Sequence, residues 1–214
     1  MNSSNNLEGL PDELRNNIST LKDVSYDNDN NEYMTNSNLK VIDFDKVKEN
    51  YIKNNMSNVK PNPKSNDALY LSKDGVWTFI EFKNGSIRNN IVFDINKKIY
   101  DSLFILFDID FKNSEIEFNN TISFSRSNIN YILVYNKKKY DQNGPTGLCD
   151  EGIKRQKSSL QQSKSRDYLS KRLFSHAKEN FILFGLDQFK GYFFKEVFTY
   201  TKEEFEKNFV EKCE

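Results

Sequence analysis

The chain has 214 residues, 18 Phe and 11 Tyr, a formal charge of zero and a single histidine, His176. That length suits one domain with an aromatic core, and zero net charge leaves any attraction for nucleic acid to local clustering of basic residues. One histidine excludes chemistry built on histidine pairs, and the widely separated Cys149 and Cys213 offer neither metal-ligand spacing nor a disulfide framework.

Two cysteines without a framework suit a reducing compartment such as the cytoplasm. No apolar stretch reaches transmembrane length, and the N-terminus lacks the basic and apolar regions of a signal peptide, so no membrane partner is expected. Residues 1–40 are polar and rich in asparagine, and read as an N-terminal extension that is partly helical or mobile. Leu14, Ile18 and Leu21 recur at helical spacing and predict a short helix from Pro11 to about Leu21. Residues 22–38 read as a loop or linker. A single domain is expected over 41–214, with its core in 41–136. It opens on a helix over 43–54 with Phe44, Val47 and Tyr51 on one face, followed by a loop carrying Pro61 and Pro63.

The next stretch, Asp67 to Lys83, predicts two strands joined by a tight turn. Asp67-Ala68-Leu69-Tyr70-Leu71 and Val76-Trp77-Thr78-Phe79-Ile80-Glu81-Phe82-Lys83 flank Lys73-Asp74-Gly75, a turn signal between aromatic and β-branched runs. Side chains alternate along a strand, so Glu81 and Lys83 share one face while Ile80 and Phe82 point the other way. Asp67 lies at the start of the paired strand. Two carboxylates on paired strands suit hard, oxygen-seeking cations such as Mg²⁺ or Mn²⁺, and a neighbouring lysine can orient a water and neutralise developing charge. Such a set suits phosphodiester hydrolysis. The plainer alternative is a salt bridge on an exposed sheet, which the flanking apolar run disfavours.

The arrangement Asp67…Glu81-Phe82-Lys83 resembles the PD-(D/E)xK nuclease superfamily, over roughly residues 40–136. Ser65-Asn66 stand where that family often has Pro before the Asp. The resemblance implies an α/β fold with a restriction-endonuclease-like mixed β-sheet flanked by helices, its core running α-β-β-α-β. It also implies that Asp67, Glu81 and Lys83 are catalytic, with Asp67 and Glu81 as metal ligands. An acidic residue of the first core helix often joins such a site; Asp45 and Glu49 are the candidates, with Glu49 as the third ligand expected here. Polar groups of the following helix often contact phosphate, which makes Lys98 a candidate. Each of these also has the simpler reading of a solvated helix face. A second acid-x-Lys copy, Asp110-Phe111-Lys112, has no hairpin partner strand carrying an acid and reads as loop.

After Lys83, Asn84-Gly85-Ser86 leads into a long helix over about 87–109, with Ser86 as N-cap. Ile87, Ile91, Ile95, Ile99, Leu103 and Leu106 form its inner stripe. Glu115 to Phe118 alternates like an edge strand. Ile129 to Tyr135 is the clearest buried strand, and the order strand, helix, strand implies a parallel pair. Lys137-Lys138-Lys139 closes it. A loop over 140–152 precedes a strongly basic helix over 154–174. There Lys154, Arg155, Lys164, Arg166 and Arg172 are candidate contacts to a phosphate backbone; an ordinary solvated helix is the alternative. Strands are expected at 181–184 and 191–200. Thr201-Lys202-Glu203-Glu204 is a capping box opening a final helix, with Phe205 and Phe209 inward.

The function expected from these residues is a metal-dependent nuclease, with DNA favoured over RNA by the resemblance alone. A homodimer or an inhibitory partner protein is compatible with it. The rival reading is a catalytically inactive module of the same fold, serving as an adaptor or immunity-type interaction protein.

Overall fold

Six strands pair into one mixed sheet in the computed structural model, which describes residues 9–56, 60, 62–85, 89–109, 121–139 and 182–214. In chain order they are β1 (Ile18–Thr20), β4 (Lys40–Asp43), β5 (Ala68–Leu71), β6 (Trp77–Lys83), β7 (Ile129–Tyr135) and β8 (Glu196–Thr201), and this is also their order across the sheet. Each neighbouring pair in β1-β4-β5-β6 is antiparallel, whereas β6 with β7 and β7 with β8 are parallel. A parallel pair needs a long crossover, and α4 (Asn89–Asp108) followed by α5 (Thr121–Asn128) lies between β6 and β7. Sheets covered on both faces have strands that read as continuous apolar runs. That is why β6 is buried from Trp77 through Phe82 and β7 is buried at every position but Asn130.

On one face, Ile42, Leu69, Leu71, Trp77, Phe79, Tyr131 and Leu133 pack against α4 and against α3 (Phe44–Asn55). Asp43 caps α3 by accepting from the Lys46 N–H, and Phe44, Val47 and Tyr51 form its inner face as their spacing predicts. Ile95, Ile99, Leu103 and Leu106 do the same for α4. On the other face, Val41, Tyr70, Ile80, Phe82, Ile132 and Val134 meet Phe205 and Val210. These belong to α6, which starts at Lys202–Phe205 and passes through a π-helical turn, Glu206–Val210, into Glu211–Cys213. The expected capping box is present: Thr201 accepts from the Glu204 N–H, and the Glu204 carboxylate accepts from the Thr201 N–H. No helix among the described residues is long and apolar enough to cross a membrane.

The first forty residues depart most from their sequence reading. Helix α1 covers only Asp12–Arg15, and Ile18–Thr20 pairs with β4 instead of continuing it. Leu14 and Leu21 are both buried, but in different cores on opposite faces of the sheet. Their spacing therefore reflects a chain that crosses the sheet edge and not one helical stripe. Residues 22–38 are not a linker either. They form α2 (Leu21–Val24) and a ribbon of β2 (Tyr26–Asp27) with β3 (Glu32–Tyr33), and Met34 and Leu39 are buried beside Val41. Glu32 ties the ribbon down: Lys202 and Asn84 bond it and hold its carboxyl at about 2. Residues 182–184 are not a strand. Phe184 and Gly185 take left-handed backbone angles, and a turn of 3-10 helix, Leu186–Phe189, follows. Ser86, the edge strand at Glu115 to Phe118, the second acid-x-Lys copy and the basic segment 154–174 lie outside the described residues.

Candidate functional site

The hairpin of β5 and β6 builds the site. Gly75, at φ +75°, supplies the left-handed residue of the turn, and the Ser72 N–H bonds the Val76 carbonyl at 2.9 Å. Register then runs Leu71↔Trp77, Leu69↔Phe79 and Ala68↔Ile80. Continued by one residue, it sets Asp67 opposite Glu81. Asp67 is locked there by its own groups: its Oδ2 accepts the Phe82 N–H at 2.6 Å, and its carbonyl accepts the Phe44 N–H at 3.1 Å. The residues before it are stitched to both helices. The Ser65 hydroxyl donates to Asp45 of α3, the Asn66 N–H bonds Ser102 Oγ at 2.8 Å, and the Lys64 N–H bonds Asp101 Oδ2 at 2.7 Å.

Glu81 faces the α3 and α4 layer and is fully buried. Two amines meet it. Lys83 Nζ lies 2.5 Å from Oε1, while Lys98 Nζ, reaching in from α4, lies 2.7 Å from Oε1 and 2.9 Å from Oε2. The same Lys98 Nζ is 3.1 Å from Asp67 Oδ1. One ammonium therefore bridges two carboxylates on neighbouring strands. The side chains of Asp67, Lys98 and Lys83 retain 16%, 17% and 22% exposure, so the site opens to solvent on the side they line.

The electrostatics follow from this crowding. Burial first, and the Glu81 charge second, raise the Asp67 carboxyl to about 6, against the pull of Lys98, Lys83 and the Phe82 N–H. Burial alone would lower the Lys98 ammonium, but Asp67, Glu81 and Asp45 outweigh it and hold it well above its ordinary value. For Asp45 burial is again the largest effect and acts upward; the Ser65 hydroxyl and Lys48 together outweigh it and leave the carboxyl lowered. Tyr131 stands on β7 opposite Phe79, hence on the Glu81 face. Its hydroxyl is buried with no hydrogen-bond partner among the described residues, and burial plus the Glu81 and Asp67 charges push it well up. The Asn66 side-chain amide is likewise buried and unpartnered among the described residues.

Known family models, curated proteins and solved structures give no match to this chain. The site thus rests on its own geometry.

Of the residues singled out in the sequence, Asp67, Glu81, Lys83 and Lys98 come together. Lys98 reaches the carboxylates themselves, where the sequence suggested a contact to phosphate. Glu49 does not join them: it is exposed on α3, and its charge acts on Lys46. Asp45 is the acid of α3 that acts on Lys98. Among the described residues no group of three or more His, Cys, Asp or Glu is arranged to hold a metal ion, so a cation here would have two protein carboxylates. Lys154, Arg155, Lys164, Arg166 and Arg172 lie outside the described residues. Lys139, from the basic cluster after β7, bonds Asn30 at 2.9 Å and faces Glu32 at 3.5 Å. Tyr131 was missed because its place beside Glu81 depends on the parallel register of β6 and β7, which no local pattern encodes.

Proposed function

We propose that this chain is a metal-dependent nuclease of the PD-(D/E)xK, restriction-endonuclease-like kind, hydrolysing phosphodiester bonds of nucleic acid, with DNA as the favoured substrate. One observation carries the reading: Asp67 and Glu81 already share a single cation, with Lys83 on the second carboxylate. The order α3, β5, β6, α4, β7 within a mixed sheet supports the same reading.

The donor set fits a hard divalent cation. All candidate ligands are carboxylate oxygens, Asp67 Oδ1 with Glu81 Oε1 and Oε2, which already converge on one cationic group. Asp67 and Glu81 would hold Mg²⁺ or Mn²⁺, which when bound polarises phosphate and makes water a better nucleophile. Lys83, partly exposed at the mouth of the site, would orient that water and neutralise charge growing on the phosphate. Basic residues between 154 and 172 would bind the backbone on either side of the cleaved bond.

The test is incubation with supercoiled plasmid, linear duplex DNA and RNA, with Mg²⁺, Mn²⁺ or EDTA. Metal-dependent cleavage that disappears in Glu81→Gln supports the reading; no cleavage of any substrate overturns it. A second reading, a non-catalytic module of the same fold, draws on the balance of two carboxylates by two lysines without any metal. It predicts no cleavage and no metal binding.

A further inference from the structure

We infer that Lys98 is a resident cation of the Asp67–Glu81 pair, occupying the position of the divalent ion and displaced from it when that ion binds. The inference rests on the metal reading above and adds a residue to it. Lys98 is the only described group that touches both carboxylates, through Asp67 Oδ1, Glu81 Oε1 and Glu81 Oε2. Those three oxygens are also the ones a small cation would use. An ammonium sits about 2.7–3.1 Å from its acceptors and a magnesium ion about 2.0–2.1 Å. Both converge on one point between the strands, and two cations cannot share it.

A fully buried carboxylate such as Glu81 cannot stand uncompensated. Without metal, two carboxylates face two lysines and the charges balance. Lys83 cannot supply that balance alone, since its ion pair reaches Glu81 Oε1 and not Asp67. Lys98 is the part free to move. It has a long flexible stem, and its displaced ammonium has acids to go to. Asp94, four residues earlier on α4, is 40% exposed, and its nearest ion pair is with Lys64 at 2.6 Å. Residues four apart on a helix are neighbours. Asp94 and Asp45 both already feel the Lys98 charge. Lys98 thus has an inner position on the carboxylate pair and an outer one on the helix surface, and the divalent ion decides between them.

The test compares Mn²⁺ binding by calorimetry in the wild type and in Lys98→Met, which keeps the stem and removes the charge. With no ammonium to displace, the variant should bind at least tenfold more tightly. Its melting temperature should fall below that of the wild type in EDTA and recover with Mn²⁺. Equal or weaker binding by Lys98→Met, with binding intact in the wild type, overturns the inference and leaves the metal site standing. Absence of binding in both proteins overturns the metal reading and the inference with it. A second measurement needs no variant: lysine acylation of the wild type, read residue by residue by mass spectrometry. Lys98 should be shielded in EDTA and become reactive when Mn²⁺ is added. Reactivity unchanged by saturating Mn²⁺ overturns the inference even where Lys98→Met fails to fold.

Discussion

Replacing Asp67 by asparagine should stabilise the metal-free protein at neutral and alkaline pH. The folded carboxyl titrates at about 6 against an ordinary 3.8. At about 1.36 kcal/mol per pH unit, that gap corresponds to about 3 kcal/mol. The sign follows from which state holds the proton more tightly. Because the folded value is the higher one, protonated Asp67 favours the folded state. Its contribution is complete below about pH 4, declines as pH rises through 6 and is gone above that. Asparagine is neutral throughout and can still accept the Phe82 N–H. The variant should therefore match the wild type near pH 4 and exceed it by up to about 3 kcal/mol near pH 8. For a chain of this length the gain corresponds to roughly 6–12 °C in melting temperature. Chemical denaturation in EDTA across this pH range measures it. An Asp67→Asn protein less stable than the wild type near pH 8 would refute the reasoning, since the Lys98 attraction would then outweigh burial and the Glu81 charge. A gap that fails to close on acidification would refute it equally.

Lys83→Ala should lose cleavage by on the order of a hundredfold and still fold, because Glu81 keeps Lys98 at 2.7 and 2.9 Å; unfolding of the variant would make Lys83 a structural partner only. Leu14, fully buried, joins the first residues to the helix-side core, so Leu14→Ala should cost about 2–5 kcal/mol in denaturation. A negligible cost would mean that the N-terminal residues are dispensable to the fold. Neutralising Arg155, Lys164, Arg166 and Arg172 together should weaken binding to all DNA sequences alike and flatten the salt dependence by about 0.9 in slope per lost contact. An unchanged slope would remove that segment from the interface.

Where a signal is local, the sequence announced the structure. The Asp74-Gly75 turn, the apolar stripe of α4 from Ile95 to Leu106, the capping box at Thr201 and Glu204, and the buried run of β7 all formed over the residues expected. The first forty residues show the opposite. Leu14, Ile18 and Leu21 satisfy a helical period, yet ladder bonds from Ile18–Thr20 to Lys40–Ile42 win over it. Low hydropathy hid Met34 and Leu39, which are buried only because α6 and the sheet lie beside them.

The sequence by itself determined which chemical groups this protein can bring to bear. Strand alternation alone puts Glu81 and Lys83 on one face, and the hairpin turn sets Asp67 against them, because both effects act over a few residues. Tertiary structure decided what those groups touch. Whether Lys98 meets phosphate or carboxylate, which acid of α3 acts on it, and whether a tyrosine of β7 lies beside Glu81 depend on how α3, α4 and β7 pack. Those placements are set by contacts between residues tens of positions apart, such as Lys98 with Asp67 and Glu81 with Leu133. The electrostatic character of the site follows from the same cause. The Asp67 carboxyl is raised first because the fold buries it, which is not written in its neighbours along the chain, and only second by the Glu81 charge that the hairpin brings beside it.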